Sequence, residues 1–378
     1  MRLLISAGEP SGDLYGALLA ATLRERCPGI EIEAFGGPAL AGVGVAVRWS
    51  MEGRTVLGFV EILRAIPSHW TLLRTLDREL AAGRYDLVVP IDYPGFNLRL
   101  AERAHRHGVP VLYYIAPKHW SSRTSSRLTA RLARAITRMA CILPFEPAHF
   151  SPFGIAAEFV GHPLRDLPQT PERSEARQLL GIAERARVVA LFPGSRRQEV
   201  ARLWEPMIGA ARILLTESRC DRVLVAAMPG LAIPNPGNEG IHVVAGRTET
   251  ILGAADAAIV KSGTATLQAA LADVPMVVTY RVHPITAALA RRMIRVPWIS
   301  LPNLIAGRAV VPELLQESVS ARRLADAVHP LLDRQSPEAR AQREGFAVVR
   351  ERVVPGATLR VAAMVGEILS ATPAVHAS

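Results

Sequence analysis

Three short segments hold residues whose types and spacing can do chemistry. In Lys261-Ser262-Gly263-Thr264-Ala265-Thr266-Leu267-Gln268, a small-residue turn follows the apolar run Ala257–Val260 and leads into a helix-like stretch from Leu267. A strand feeding a helix through Ser-Gly-Thr aims backbone N–H groups, two hydroxyls and the positive end of a helix dipole at one spot, which suits an anion. Pro193-Gly194-Ser195-Arg196 repeats the arrangement, and Arg196 adds a guanidinium able to give a diphosphate two parallel hydrogen bonds. The third segment, Ile91-Asp92-Tyr93-Pro94-Gly95-Phe96-Asn97, ends the apolar run Leu87–Ile91 with a carboxylate. The rigid Tyr-Pro step there can position Asp92 as a general base. Turn and cap chemistry explains each segment taken alone. Two phosphate-type turns and one candidate base together describe a donor and an acceptor, and so a group transferase.

Two weaker sites accompany these. Gly8-Glu9-Pro10-Ser11-Gly12-Asp13 joins the first apolar run to the first helical pattern, where glycine permits close backbone approach to a ligand and Ser11 or Asp13 equally suits a helix cap. It lacks G-x-G-x-x-G spacing and so is no dinucleotide fingerprint. His162, in Val160-Gly161-His162-Pro163, either meets ligand or caps a hinge. No histidine shows ligand spacing, so neither a metal nor another cofactor is expected.

The elements that must position these residues alternate regularly. Leu3–Ser6, Ile32–Phe35, Leu87–Ile91, Val111–Ile115 and Cys141–Leu143 read as strands, with helical patterns such as Leu14–Arg26 and Leu98–His107 between them. After a Pro-rich linker at Gly161–Arg173 the series restarts with Val188–Phe192, Val223–Met228, His242–Ala245, Ala257–Val260 and Met276–Tyr280. This is the βαβ rhythm of parallel sheets covered on both faces. It predicts two doubly wound, Rossmann-like α/β domains facing a cleft, with ligand at the carboxyl ends of the strands. The boundaries expected are 1–165, 166–345 and a helical tail at 346–378, whose Leu359–Leu369 returns to the first domain or meets a partner chain in a homodimer.

Composition narrows the partners. The 378 residues carry a formal charge of +10, yet all but two of the 44 Lys+Arg residues are arginines, scattered without aromatic interleaving. That pattern favours anionic membranes or phosphorylated ligands over nucleic acid. Cys27, Cys141 and Cys220 fit neither a disulfide framework nor a metal site, which suggests reducing cytosol. The N-terminus turns polar at Gly8-Glu9 and reads as a first strand, not a signal peptide. Within Val56–Leu80, residues Val60, Leu63, Ile66, Trp70, Leu73 and Leu76 form a helical stripe flanked by Arg64, Arg74 and Arg78. That stripe fits a bilayer surface or a buried core equally.

With these motifs in order, the chain resembles the lipid A disaccharide synthase family of inverting GT-B glycosyltransferases. Gly8–Asp13, Gly58–Glu61, Asp92–Asn97, Tyr113–Arg123, Phe159–Pro163, Pro193–Arg196, Ser262–Leu267 and Tyr280–Gln316, with Ser300–Arg308 inside it, carry the likeness. The resemblance implies transfer of 2,3-diacylglucosamine from its UDP form to 2,3-diacylglucosamine 1-phosphate, giving a β-1,6 disaccharide and UDP. It implies a cytoplasmic enzyme bound peripherally to the inner face of the membrane. Asp92 then corresponds to the acceptor's base and Arg196 to the arginine at the departing diphosphate. Ser262, Gly263 and Thr264 correspond to the UDP-binding turn, with Asn303 and Gln316 in a later donor-side motif. Further substrate contacts are expected at Gly8, Ser11, Gly12, Asp13, Asn97, Trp120, Arg123 and His162, and on the donor side at Gly194, Ser195, Thr266 and Gln268. Gln268 stands where the family usually carries Glu, Gly95 where it carries Asp, and Lys118, His119, Ser121 and Ser122 are unusual. Another acceptor, a UDP-sugar epimerase or a non-catalytic nucleotide-sugar-binding protein are the alternatives.

Overall fold

The computed structural model describes residues 1–51, 59–121, 125–237, 240–293 and 296–371. Arg2–Ala7 (β1), Glu31–Gly36 (β2), Ala46–Ser50 (β3), Leu87–Ile91 (β4), Leu112–Tyr114 (β5), Arg138–Cys141 (β6) and Ala157–Phe159 (β7) form a parallel sheet in the order β3-β2-β1-β4-β5-β6-β7. Val188–Phe192 (β8), Arg222–Ala227 (β9), Ile241–Ala245 (β10), Ala257–Lys261 (β11), Met276–Tyr280 (β12) and Glu313–Leu315 (β13) form a second, ordered β10-β9-β8-β11-β12-β13. Every residue of β4 and β8 is buried. A parallel strand covered on both faces has no solvent side, which is why these strands read as unbroken apolar runs. By contrast β3, β7 and β13 are short, half-exposed edge strands, and their mixed composition hid them from a search for apolar runs.

Each sheet reverses its strand order once, between β1 and β4 and between β8 and β11. At such a switch point the flanking helices diverge to opposite faces and open a crevice beyond the carboxyl ends of the strands. Gly8 and Asp92 follow β1 and β4, while Pro193–Arg196 and Ser262–Thr264 follow β8 and β11.

The chain divides into a unit of Met1–Leu167 with Val353–Ser378 and a unit of Pro168–Arg352. The break at Arg352 lies later than the 345/346 boundary expected, because Pro337–Arg352 is one continuous helix tied to the second unit. Its Gln342 exchanges hydrogen bonds with the main chain of Met276, and Arg343 and Arg350 hold Asp273 at 2.5 and 2.9 Å. The last helix, Ala357–Ala371, belongs to the first unit, with Val361, Val365 and Ile368 buried. Asp166 fastens its start, accepting from the N–H groups of Gly356 at 2.6 Å and Thr358 at 2.8 Å. Among the described residues one helical stretch, Pro337–Ala371, is long and apolar enough by length and composition to cross a membrane, but it is broken at Val353–Gly356 into helices of 16 and 15 residues.

Candidate active site

In the first unit the site is built on backbone strain. Asp92 and Tyr93 both adopt left-handed conformations, with φ of +46° and +49°. Each such non-glycine residue costs on the order of 1–3 kcal/mol and persists only where its surroundings hold it. The holder is Asn97. Its buried amide donates to the carbonyls of Asp92 at 2.7 Å and of Ile91 and Ser6 at 3.2 Å, while its oxygen accepts from the Ser6 hydroxyl at 2.6 Å. Tyr113 donates a further hydrogen bond to the Asp92 carbonyl at 2.8 Å. The strand ends β1 and β4 are thereby bolted together, and Asp92 is half-exposed beyond them. Deep burial, with a smaller contribution from the Asp92 charge, raises the Tyr15 and Tyr113 phenols well above their ordinary range.

Tyr93 explains Gly8. A Cβ at Gly8 would fall 2.3 Å from the Tyr93 ring, so glycine is required there by a side chain of the same unit. The ring stacks in a tilted cluster with Phe35 and Phe96, and its hydroxyl lies 2.9 Å from His69 Nε2.

Several residues expected to touch substrate are buried and hydrogen-bonded within the protein. Asp13 caps the helix Pro38–Gly42, accepting from the N–H of Gly37 at 2.7 Å and of Ala39 at 2.8 Å. Asn97 is the bracket just described. His162 is buried, accepts from the Leu164 N–H at 3.2 Å and meets Tyr15 edge to face. Burial lowers its pKa to about 3, against a smaller opposing pull from Asp166. Thr266 is buried and donates to the Gly263 carbonyl at 2.7 Å. Asn303 is buried, accepting from the N–H groups of Val310 and Val311 and donating to Glu313 at 2.9 Å. In each case the reason is the same: a polar group without access to water must find protein partners. Ser11 is half-buried and Gly12 buried in the first turn of the helix Pro10–Arg26, with Gly12 packed against Ile91. The motif thus splits, with Gly8 and Glu9 linking β1 to the helix and Pro10–Asp13 forming its first turn. Trp120 donates to the buried Glu146 at 3.1 Å. Arg123, Ser122 and Gly58 lie outside the described residues.

In the second unit the two turns stand side by side on neighbouring strands. Gly194, at φ +123°, tops the first, and a Cβ there would strike the Glu199 carboxylate at 2.5 Å. Glu199 accepts from the Ser195 N–H at 3.1 Å, lies 3.5 Å from Arg196 and pairs with Lys261 at 2.7 Å, so it ties the first turn to the second. The Ser262 hydroxyl donates to the Ile299 carbonyl at 2.9 Å, the Thr266 N–H donates to the Gly263 carbonyl at 3.0 Å, and the turn leads into the N-terminus of the helix Thr264–Leu271. Gln268 donates to Glu249 at 3.3 Å, and Gln316, itself at φ +51°, accepts from the Val282 N–H at 3.3 Å. Glu199 and Lys261, which join the two turns, are not among the residues the sequence singles out as candidates. The signal was available, since Lys261 is one of only two lysines in an arginine-rich chain.

The membrane stripe divides. Leu73 and Leu76 of the helix Phe59–Ala81 are buried core residues, contrary to the surface reading, whereas Trp70 is 46% exposed under the Arg103 guanidinium. The side chains of Val60, Leu63, Arg64 and Ile66 lie outside the described residues.

Two doubly wound units, each carrying a polar constellation at a switch point, belong to the GT-B fold class, and known structures share the fold. A UDP-GlcNAc 2-epimerase from Neisseria meningitidis bound to UDP-GlcNAc superposes over 97% of this chain and 100% of its own, with TM-score 0.66 at 12% identity. The calicheamicin glycosyltransferase CalG4 does so over 98% of both chains, with TM-score 0.59 at 15% identity. The family model for lipid-A-disaccharide synthetase matches residues 3–356. The lipid-A-disaccharide synthase of Anaeromyxobacter sp. (strain K) is 40% identical over 371 residues, 96% of each chain. The chain belongs to the lipid-A-disaccharide synthetase family, and is a disaccharide-forming glycosyltransferase using a UDP-sugar donor and a phosphorylated sugar acceptor.

Proposed function

We propose that this chain transfers 2,3-diacylglucosamine from UDP to 2,3-diacylglucosamine 1-phosphate with inversion. The acceptor 6-hydroxyl gives its proton to the Asp92 carboxylate as its oxygen attacks the anomeric carbon. The bond from that carbon to the diphosphate oxygen breaks, and UDP departs with the electron pair. Arg196, the first-turn amides after Gly263 and the helix dipoles offset the charge that grows on the leaving group. Asn97 and Tyr113 act through Asp92, holding its backbone so that the carboxylate needs no reorganisation. The observation that supports this most is the family match from residue 3 to residue 356, within which both motif sets stand at switch points.

The substrates' acyl chains require a bilayer surface. Exposed Trp70, with Arg74 and Arg78 exposed on the same helix, supports peripheral contact with anionic lipid at the inner face of the cytoplasmic membrane. Mass spectrometry after incubation with UDP-diacylglucosamine and diacylglucosamine 1-phosphate tests the reaction. A disaccharide 1-phosphate with one UDP per bond formed is expected. An epimerised donor, or no product, overturns the proposal.

A further inference from the structure

β4 and β5 are parallel neighbours with Ile91 paired to Tyr114, so Asp92 and Ile115 leave the sheet side by side. The Asp92 N–H donates to the Tyr114 carbonyl at 3.0 Å, and the Tyr113 hydroxyl donates back to the Asp92 carbonyl at 2.8 Å. Ile115 adopts φ +67°, a conformation that a β-branched residue rarely takes and that persists only where its surroundings hold it. Of the six left-handed non-glycine residues described, three, Asp92, Tyr93 and Ile115, stand at these two strand ends.

The turn that Ile115 starts is held at two points. His119 Nδ1 lies 3.1 Å from the hydroxyl of buried Thr129, on the helix Ser125–Ala135. Trp120 donates to Oε1 of Glu146, while Oε2 accepts from the N–H groups of Ile142 and Leu143, just after β6, at 3.2 and 3.0 Å. Glu146 is 1% exposed, so the post is dry and both of its oxygens are engaged. Between the buried Ala116-Pro117 step and these anchored residues, Lys118 alone is exposed. Its carbonyl accepts from the Ser121 hydroxyl at 2.7 Å, and its ammonium forms no ion pair among the described residues. The turn therefore fixes one cation on the strand end next to the candidate base. That cation is a lysine in a chain where all but two of the 44 Lys+Arg residues are arginines, and a compact ammonium binds phosphate as a point charge.

We propose that Lys118 binds the phosphate of the sugar acceptor and so selects phosphorylated over unphosphorylated acceptors, and that Glu146 is the positioning residue that fixes its turn through Trp120. The proposal rests on the reading of Asp92 as the base for the acceptor hydroxyl. In a glucosamine 1-phosphate, the carbons bearing the phosphate and the 6-hydroxymethyl group both adjoin the ring oxygen, so the two groups stand within one sugar ring of each other. Neighbouring strand ends, about 4.8 Å apart, extended by a lysine stem, supply a separation of that order.

Steady-state kinetics of the full chain at saturating UDP-diacylglucosamine, with diacylglucosamine 1-phosphate and separately with diacylglucosamine as acceptor, test the inference. Lys118→Gln should lower kcat/KM for the phosphorylated acceptor about ten- to a hundredfold, as for a lost charge-assisted hydrogen bond, and leave the unphosphorylated one within about threefold. Lys118→Arg should restore the phosphorylated acceptor to within about fivefold of wild type. Glu146→Gln can turn one oxygen to the main-chain N–H groups and loses the indole bond. It should raise KM for the phosphorylated acceptor about three- to tenfold with kcat and donor KM near wild type, and Trp120→Phe should do the same. If Lys118→Gln keeps the wild-type preference for the phosphorylated acceptor, or slows both acceptors equally, the phosphate assignment fails and the transfer reaction stands. If Glu146→Gln alters both acceptors alike, its role is structural and the positioning assignment fails. Wild-type protein that makes no disaccharide from either acceptor sinks this inference and the proposed function together.

Discussion

The side-chain amide of Asn97 donates to the main-chain carbonyl of Asp92 at 2.7 Å, so the residue that fixes the candidate base sits five positions after it, on the following helix. This separates the two roles experimentally. Asp92→Asn should lower kcat by about 10²–10⁴ with UDP affinity and thermal stability near wild type. Asn97→Ala strands buried carbonyls and should cost about 1–3 kcal/mol in denaturant unfolding, with a smaller loss of kcat. A stable Asp92→Asn enzyme with normal turnover removes the base assignment.

The division of the long helix predicts different phenotypes for neighbouring apolar residues. Trp70→Ser should reduce sedimentation with anionic liposomes and leave the circular dichroism melt unchanged. Leu73→Ser, in the core, should unfold at markedly lower denaturant, by about 2–5 kcal/mol, whatever lipid is present. Equal liposome binding by Trp70→Ser and wild type argues against this surface.

His162 predicts an acid limit. Its folded pKa is depressed to about 3 by burial, below the ordinary value of 6.5. The neutral ring that accepts from Leu164 therefore contributes stability present above pH 6.5, and that stability is lost as pH falls toward 3. The full contribution is about 5 kcal/mol by linkage. Unfolding titrations of wild type and His162→Gln should converge on acidification through this window; parallel curves contradict the assignment.

Glu146 predicts the opposite slope. Burial raises its pKa from 4.5 to about 7, against hydrogen bonds from Leu143, Trp120 and Ile142 that favour the carboxylate. Its protonated form stabilises the fold fully below pH 4.5, and that contribution is lost as pH rises through 7. The Trp120 indole N–H resonance should titrate with a midpoint near 7, moving downfield as the carboxylate forms. Glu146→Gln should abolish that titration.

A buried ion pair carries the base of the second sheet. Arg177 is 1% exposed, holds the Asp256 carboxylate at 3.0 Å and donates to the carbonyls of Ala183, Glu184 and Ala254. Asp256 in turn accepts from the Val188 N–H at 2.8 Å, which sets the start of β8. Asp256→Ala strands the guanidinium and should destabilise the second unit by about 3–5 kcal/mol in urea unfolding.

Much of the architecture was legible because buried parallel strands must be apolar on both faces, so β1, β4, β8, β11 and β12 announced themselves in composition. The turns after β8 and β11 were legible for a related reason, since glycine and hydroxyl residues between an apolar run and a helix have few other uses. Side-chain direction was not. Asp13, Asn97, His162, Thr266 and Asn303 have residue types that bind ligands, and the same hydrogen-bonding capacity makes them good brackets in a dry interior.

The sequence by itself determined the alternation of strands and helices and the acidic and basic residues at the turns between them, because periodicity and turn chemistry are local. Only the tertiary structure decided which polar side chains are buried with protein partners and so lock the frame. It alone brought Lys261 to Glu199 across 62 positions and the last helix back to Asp166. Those pairings depend on which elements become neighbours, a property of the assembled fold that no stretch of chain contains.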